Sequence, residues 1–202
     1  LAPPVGLALY LFVELDIGHR VLNRRLGEVM EETAALLPER MPAPEGAFDA
    51  AGELEGLARY TWEHGRFALY DNTAARYLPS GEASLEAMLE DLRAAKDFIF
   101  LEFFIVEEGY MWGRVLKVLE DKAAEGVEVR LMYDGTCALF RLPYHYPDML
   151  KKLGIQCKMF SPIRPVISAH YNNRDHRKIL VIDGRVAYTG GVNLADEYVN
   201  RI

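Results

Sequence analysis

Residues 172–198 read N-N-R-D-H-R-K-I-L-V-I-D-G-R-V-A-Y-T-G-G-V-N-L-A-D-E-Y. Two short apolar runs flank Asp183-Gly184, a common hairpin turn. A strand that only had to fold would not need Arg174-Asp175-His176-Arg177-Lys178 leading into Ile179–Ile182. At a strand's period of two, His176 and Lys178 point to the same face. Asp183 follows at the turn. Gly190, Gly191 and Asn193 come next, where adjacent glycines let backbone approach a ligand or another segment. Histidine can attack or donate a proton, lysine supplies positive charge, and an asparagine amide donates a hydrogen bond. The set suits an anionic tetrahedral centre. Singly, each residue also has a plain structural reading; the combined spacing His-x-Lys-x4-Asp-x6-Gly-Gly-x-Asn is far more specific than any member.

Working outward, strands and helices alternate from about Phe67 onward. "RFALYDN" reads as a weak strand. "YLPSGEASLEAMLEDLRAAK" reads as a helix with Leu85, Met88, Leu89 and Leu92 on one face and Ser80 or Ser84 as its cap. "DFIFLEFFIVE", Asp97 to Glu107, is a near-continuous apolar run expected of a central buried strand. A helix over "YMWGRVLKVLEDKAAEG" ends at Gly126. "VEVRLMYD" is a strand, "YPDMLKKLG" a short helix and "IQCKMF" a strand, and a loop "SPIRPVISAHYNN" leads to the hairpin. This order predicts an α/β layered domain, its central sheet mostly parallel or mixed and flanked by helices.

The N-terminal third differs. Leu1 to Leu15 is apolar but short of the about 20 residues that span a bilayer. It reads as the end of a truncated transmembrane helix, with Arg20, Arg24 and Arg25 following as expected on the cytoplasmic side. Asp16 to Leu37 and Ala47 to His64 have helical periodicity around a proline-rich linker, the second with Phe48, Leu54, Leu57, Ala58 and Trp62. The expected organisation is therefore 1–15 membrane helix end, 16–66 juxtamembrane helices and linker, and 67–202 the α/β domain, incomplete at its C-terminus because "DEYVNRI" stops without a closing turn or cap.

Composition narrows the function. The 202 residues are half hydrophobic, about a quarter charged, with formal net charge −7. That balance fits a folded domain and disfavours nucleic acid as partner, since phosphate binding needs a basic face. Two cysteines, Cys137 and Cys157, lack C-x-x-C spacing and give no support for a zinc site or a disulfide framework.

The motif His176, Lys178, Asp183, Gly190, Gly191, Asn193 resembles that of the phospholipase D superfamily, H-x-K-x4-D followed by G-S-x-N or G-G-x-N. The Gly-Gly form, with "AKDFIFLEFFI" and "AAEGVEVRLMYDG", is similar to the bacterial cardiolipin synthase branch. The resemblance implies a two-step phosphatidyl transfer through a phosphohistidine, with no metal and no cofactor. It makes His176 the nucleophile or acid/base, has Lys178, Asn193 and Gly191 bind phosphoryl oxygens, and gives Asp183 the support of the motif and a bias on a histidine's protonation. Glu102 matches a glutamate of the branch and is expected, with Arg174 and Glu197, to play a supporting part. Phosphatidylglycerol or another anionic phospholipid, at the cell membrane with the catalytic domain on the cytoplasmic side, is the implied partner. The family works with two motifs; His19, His64, His145 and His170 do not rebuild one. A second half in further C-terminal chain or a homodimer is therefore implied. A phosphodiesterase (phospholipase or dimeric nuclease) and a non-catalytic module holding anionic headgroups through Arg174, Arg177 and Lys178 are the other readings.

Overall fold

The computed structural model describes residues 3–15, 17–34, 36, 52–70, 72–163 and 174–201. Two compact units are present, Glu14–Tyr77 and Leu78–Ile202, the second grouping with Leu1–Val13. The N-terminal third forms helices α1 (Pro3–Leu15), α2 (Ile17–Ala34) and α3 (Gly52–Gly65). Among the described residues no helix is long and apolar enough to cross a membrane. In α3, Trp62 is buried while Leu57 is exposed; the linker and Phe48 lie outside the described residues.

In the second unit the order is α4 (Gly81–Ala94), β1 (Phe98–Phe103), α5 (Tyr110–Ala124), β2 (Glu128–Asp134), α6 (Cys137–Phe140), α7 (Tyr146–Lys152), β3 (Gln156–Phe160), β4 (Lys178–Ile182), β5 (Val186–Thr189) and a 3-10 turn at Asp196–Val199. The sheet runs β3-β2-β1-β4-β5. β1, β2 and β3 are parallel, β4 is antiparallel to β1, and β5 is antiparallel to β4. The sheet is thus mixed, with the apolar run of β1 at its centre. α5 crosses from β1 to β2 and ends at Gly126, whose φ of +94 suits glycine.

One face of the sheet carries the helices. Leu85, Leu89 and Leu92 of α4 and Met111, Trp112, Val115 and Leu119 of α5 form the core with Ile99, Leu101, Phe103, Val129, Leu131, Leu180 and Ile182. Each such side chain contributes roughly 1.5–3 kcal/mol when removed from water. Ser80 caps α4, its hydroxyl accepting from Ala83 N–H at 3.2 Å. Trp112 Nε1 donates to the Tyr146 hydroxyl at 2.6 Å, tying α5 to α7 within the core. The opposite face is half-buried; Phe100, Met132, Ile179 and Val181 line a shallow depression there of about 430 Å³.

Two expectations fail locally. "RFALYDN" joins no strand among its described residues; it follows α3 without regular structure. "DEYVNRI" does close: Asp196–Val199 is helical and Asn200, at φ +52, caps it. The reason lies far away in sequence. The Asp196 carboxylate accepts from Tyr110 N–H at 2.9 Å and Met111 N–H at 2.7 Å, capping α5 from 86 and 85 residues away. Gly109 makes room for it, since a Cβ there would lie 2.6 Å from Asp196 Oδ2.

Candidate active site

The mixed topology decides what meets at one edge. β1, β2 and β3 end where β4 begins, because Phe103 pairs with Lys178. β5, antiparallel to β4, returns to that edge at Thr189, opposite Ile179. His176, Lys178, Gly190, Gly191 and Asn193 are therefore gathered at the C-terminal edge of the parallel strands, where α/β sheets characteristically place ligands.

Phe104, just past β1, is the platform. The His176 ring packs on it at 4.7 Å between centroids, tilted 51°, and Lys178 Nζ sits 5.1 Å from the same ring's centroid. His176 is exposed, whereas Lys178 is only 6% exposed and donates from Nζ to the His176 carbonyl at 2.7 Å. Burial lowers the Lys178 ammonium from its ordinary value. The lysine thus fixes the backbone of the histidine and sets its charge beside the Phe104 ring on which the histidine packs. Asn193 is buried; its Oδ1 accepts from Ile105 N–H at 3.0 Å and its Nδ2 donates to the Tyr198 hydroxyl at 2.6 Å. That leaves its second amide proton for a ligand. Added Cβ atoms at Gly190 or Gly191 would meet nothing within 4 Å, so packing alone does not account for the two glycines.

Asp183 is not brought to the histidine. It lies at the other end of β4, roughly 20 Å away along the strand. It and Gly184 have φ of +52 and +64, the type I′ hairpin turn. Its carboxylate accepts from Lys96, Asp97 and Phe98 N–H at 2.8, 2.9 and 2.8 Å. These donors hold it below the usual aspartate range. The expected bias on a histidine's protonation is replaced by a mechanical part: Asp183 pins the entry of β1 to the exit of β4. Glu197 lies 4.0 Å from Arg141, which also pairs with Glu107.

Glu102 and Arg174 do reach the motif, through Arg177 and through two acids, Asp175 and Asp134, to which the sequence reading gave no role. Arg177 bridges two acids, with Nη2 2.6 Å from Glu102 Oε1 and Nε 3.0 Å from Asp175 Oδ1. Burial, and then the neighbouring Asp175 carboxylate, push Glu102 up to about 7. Burial opposes ionisation of Asp175, but hydrogen bonds with Glu102 and Arg177 hold it below its ordinary value. Of the two acids, Glu102 is therefore the one that takes up a proton more readily. On the other side Asp134, fully buried at the end of β2, accepts from Thr136 N–H at 2.9 Å, Thr136 Oγ1 at 2.8 Å and Asp175 N–H at 3.0 Å. Arg174 Nη1 lies 3.4 Å from it and donates to the Ser161 carbonyl at 2.9 Å. An acid closing the apolar run of "VEVRLMYD" was the available signal for Asp134.

The Glu102 proton makes the segment sensitive to pH. Its folded value lies above its ordinary 4.5, so the stability it contributes is full below the unfolded value and is lost as pH rises through about 7. Glu102→Gln keeps a neutral hydrogen-bonding group there. Melting curves from pH 5 to 8.5 should fall for the native chain across pH 7 and fall less for the variant; parallel curves would exclude this role.

A histidine and a lysine packed against one ring at a sheet edge, with a glycine pair and an asparagine returning to that edge, fit a phospholipase D-type domain. The chain belongs to the family described as cardiolipin synthase, PLD-like domain, whose model matches residues 88–201. It is 43% identical to an uncharacterized protein of Streptococcus mutans serotype c, over 99% of this chain and 43% of that one. It is 30% identical to cardiolipin synthase 1 of Staphylococcus aureus, over 98% of this chain and 41% of that protein. A cardiolipin synthase of Geobacillus kaustophilus is also 30% identical, over 98% of this chain and 40% of its own length. The chain spans about two fifths of the length of these curated relatives.

Proposed function

We propose that the chain supplies one half of a phosphatidyltransferase site that makes cardiolipin from two phosphatidylglycerol molecules at a membrane. The observation carrying this reading is the exposed His176 ring on Phe104, beside the buried cation of Lys178 and the open Gly190-Gly191 backbone. In the first step a His176 ring nitrogen attacks phosphorus; the P–N bond forms as the P–O bond to glycerol breaks, and the glycerol oxygen takes a proton from the histidine of a second motif. In the second step a hydroxyl of another phosphatidylglycerol attacks phosphorus and gives its proton to that histidine. The P–N bond then breaks and returns its electron pair to His176. Lys178 and the free Asn193 amide proton stabilise charge on the phosphoryl oxygens in both steps. The second motif comes from a second copy or from further chain.

The test uses phosphatidylglycerol carrying 32P in the phosphodiester, offered to the chain as a dimer or joined to a chain with a second such motif. Acid-labile, alkali-stable label should map to His176. Label on another residue, or turnover with no trapped label at His176, would overturn the assignment.

A further inference from the structure

The segment after β2 carries an apolar projection that neither the core nor the site uses. It is fixed at both ends: Cys137 is buried and its Sγ donates to the Phe104 carbonyl at 3.3 Å, while Leu142 and Tyr146 are buried. Between these anchors Phe140 is 89% exposed, Leu139 50% and Tyr144 56%. Covering one such side chain is worth roughly 1.5–3 kcal/mol. Three residues are too few for a stable protein interface, which takes about 800 Å² from each partner. They suffice as a wedge in a lipid interface, where apolar bodies enter the acyl boundary and a tyrosine hydroxyl stays at headgroup level.

Position identifies the occupant. The carbonyl that holds Cys137 belongs to Phe104, the ring under His176 and Lys178, so the projection is continuous with the candidate active site. The same edge carries Arg177, its side chain 61% exposed and paired with Glu102 and Asp175, and Arg141, paired with Glu107, adjoins Phe140. An anionic headgroup beside an inserted Phe140 would compete with these carboxylates for the two guanidinium groups.

We propose that Leu139, Phe140 and Tyr144 form the lipid-docking element that seats this edge on an anionic phospholipid surface. The proposal rests on the reading that His176 acts on a membrane phosphodiester. It is tested in the full chain with Phe140→Trp and phosphatidylglycerol vesicles carrying brominated acyl chains. The native tryptophans, Trp62 and Trp112, are 7% and 1% exposed and give a shielded background. The variant's added emission should be quenched by about half or more, and quenching should weaken when Leu139→Ser is added. Added emission that no brominated vesicle quenches would overturn the proposal. So would a blue shift without vesicles that grows with protein concentration, which would put a second copy on the loop. Labelling of His176 by a short-chain, monomerically dissolved phosphatidylglycerol reads the chemistry separately. Label without quenching removes the docking element alone, and quenching without label removes the catalytic reading alone.

Discussion

Replacing His176 by asparagine is expected to abolish the phosphatidyl label and to lower transfer by about 10⁴-fold or more, the scale on which nucleophile removal acts in covalent catalysis. The geometry makes this a test of chemistry rather than folding. His176 is exposed, its carbonyl rather than its ring holds Lys178, and its ring makes a tilted contact with Phe104. Loss of that contact should leave the thermal midpoint nearly unchanged, since exposed substitutions usually stay within about 0.5 kcal/mol. Lipid partitioning should also survive, which separates an enzyme from a headgroup-binding module. A variant that retained transfer, or that lost activity only by unfolding, would sink the nucleophile assignment.

The second large effect is structural. Asp134→Ala should destabilise the domain by about 3–5 kcal/mol, the range for removing one partner of a buried charged network. The carboxylate is fully buried; without it the backbone N–H groups of Thr136 and Asp175 lose their acceptor, and Arg174, which keeps the Ser161 carbonyl, loses the anion 3.4 Å away. Urea unfolding measures the loss directly. Asp134→Asn should fall between, because an amide oxygen still accepts while its NH2 faces donors. Activity should drop with both, since Asp175 leads into His176. A change within about 0.5 kcal/mol for the alanine variant, the range of ordinary surface substitutions, would show that the segment is held by other means.

What was legible in the sequence follows from which forces act locally. Most strands and helices from Gly81 to Ile182 were readable because β1 is a near-continuous apolar run and apolar residues recur along α4 at Leu85, Met88, Leu89 and Leu92; the short α6 carries no such pattern. The His176–Lys178 pairing was readable for the same reason: strand period alone puts both on one side. The other determinants join residues far apart in the chain. The capping of α5 by Asp196 spans 86 residues, and the bond from Asp175 N–H to Asp134 spans 41. Phe104 looked like one more aromatic in an apolar run. Only the antiparallel entry of β4 beside β1 turns it into the surface under His176 and Lys178.

That antiparallel strand has a further consequence. β4 is five residues long, with Lys178 at its first position and Asp183 just beyond its last. The interval between lysine and aspartate in the motif is thus a length, the span of the sheet from the edge that holds His176 and Lys178 to the edge where β1 enters. The aspartate anchors one end of the gauge and the lysine marks the other. Deleting one residue between them would turn Lys178 to the opposite face of the strand and draw His176 off its ring. The spacing is preserved by carpentry as much as by chemistry.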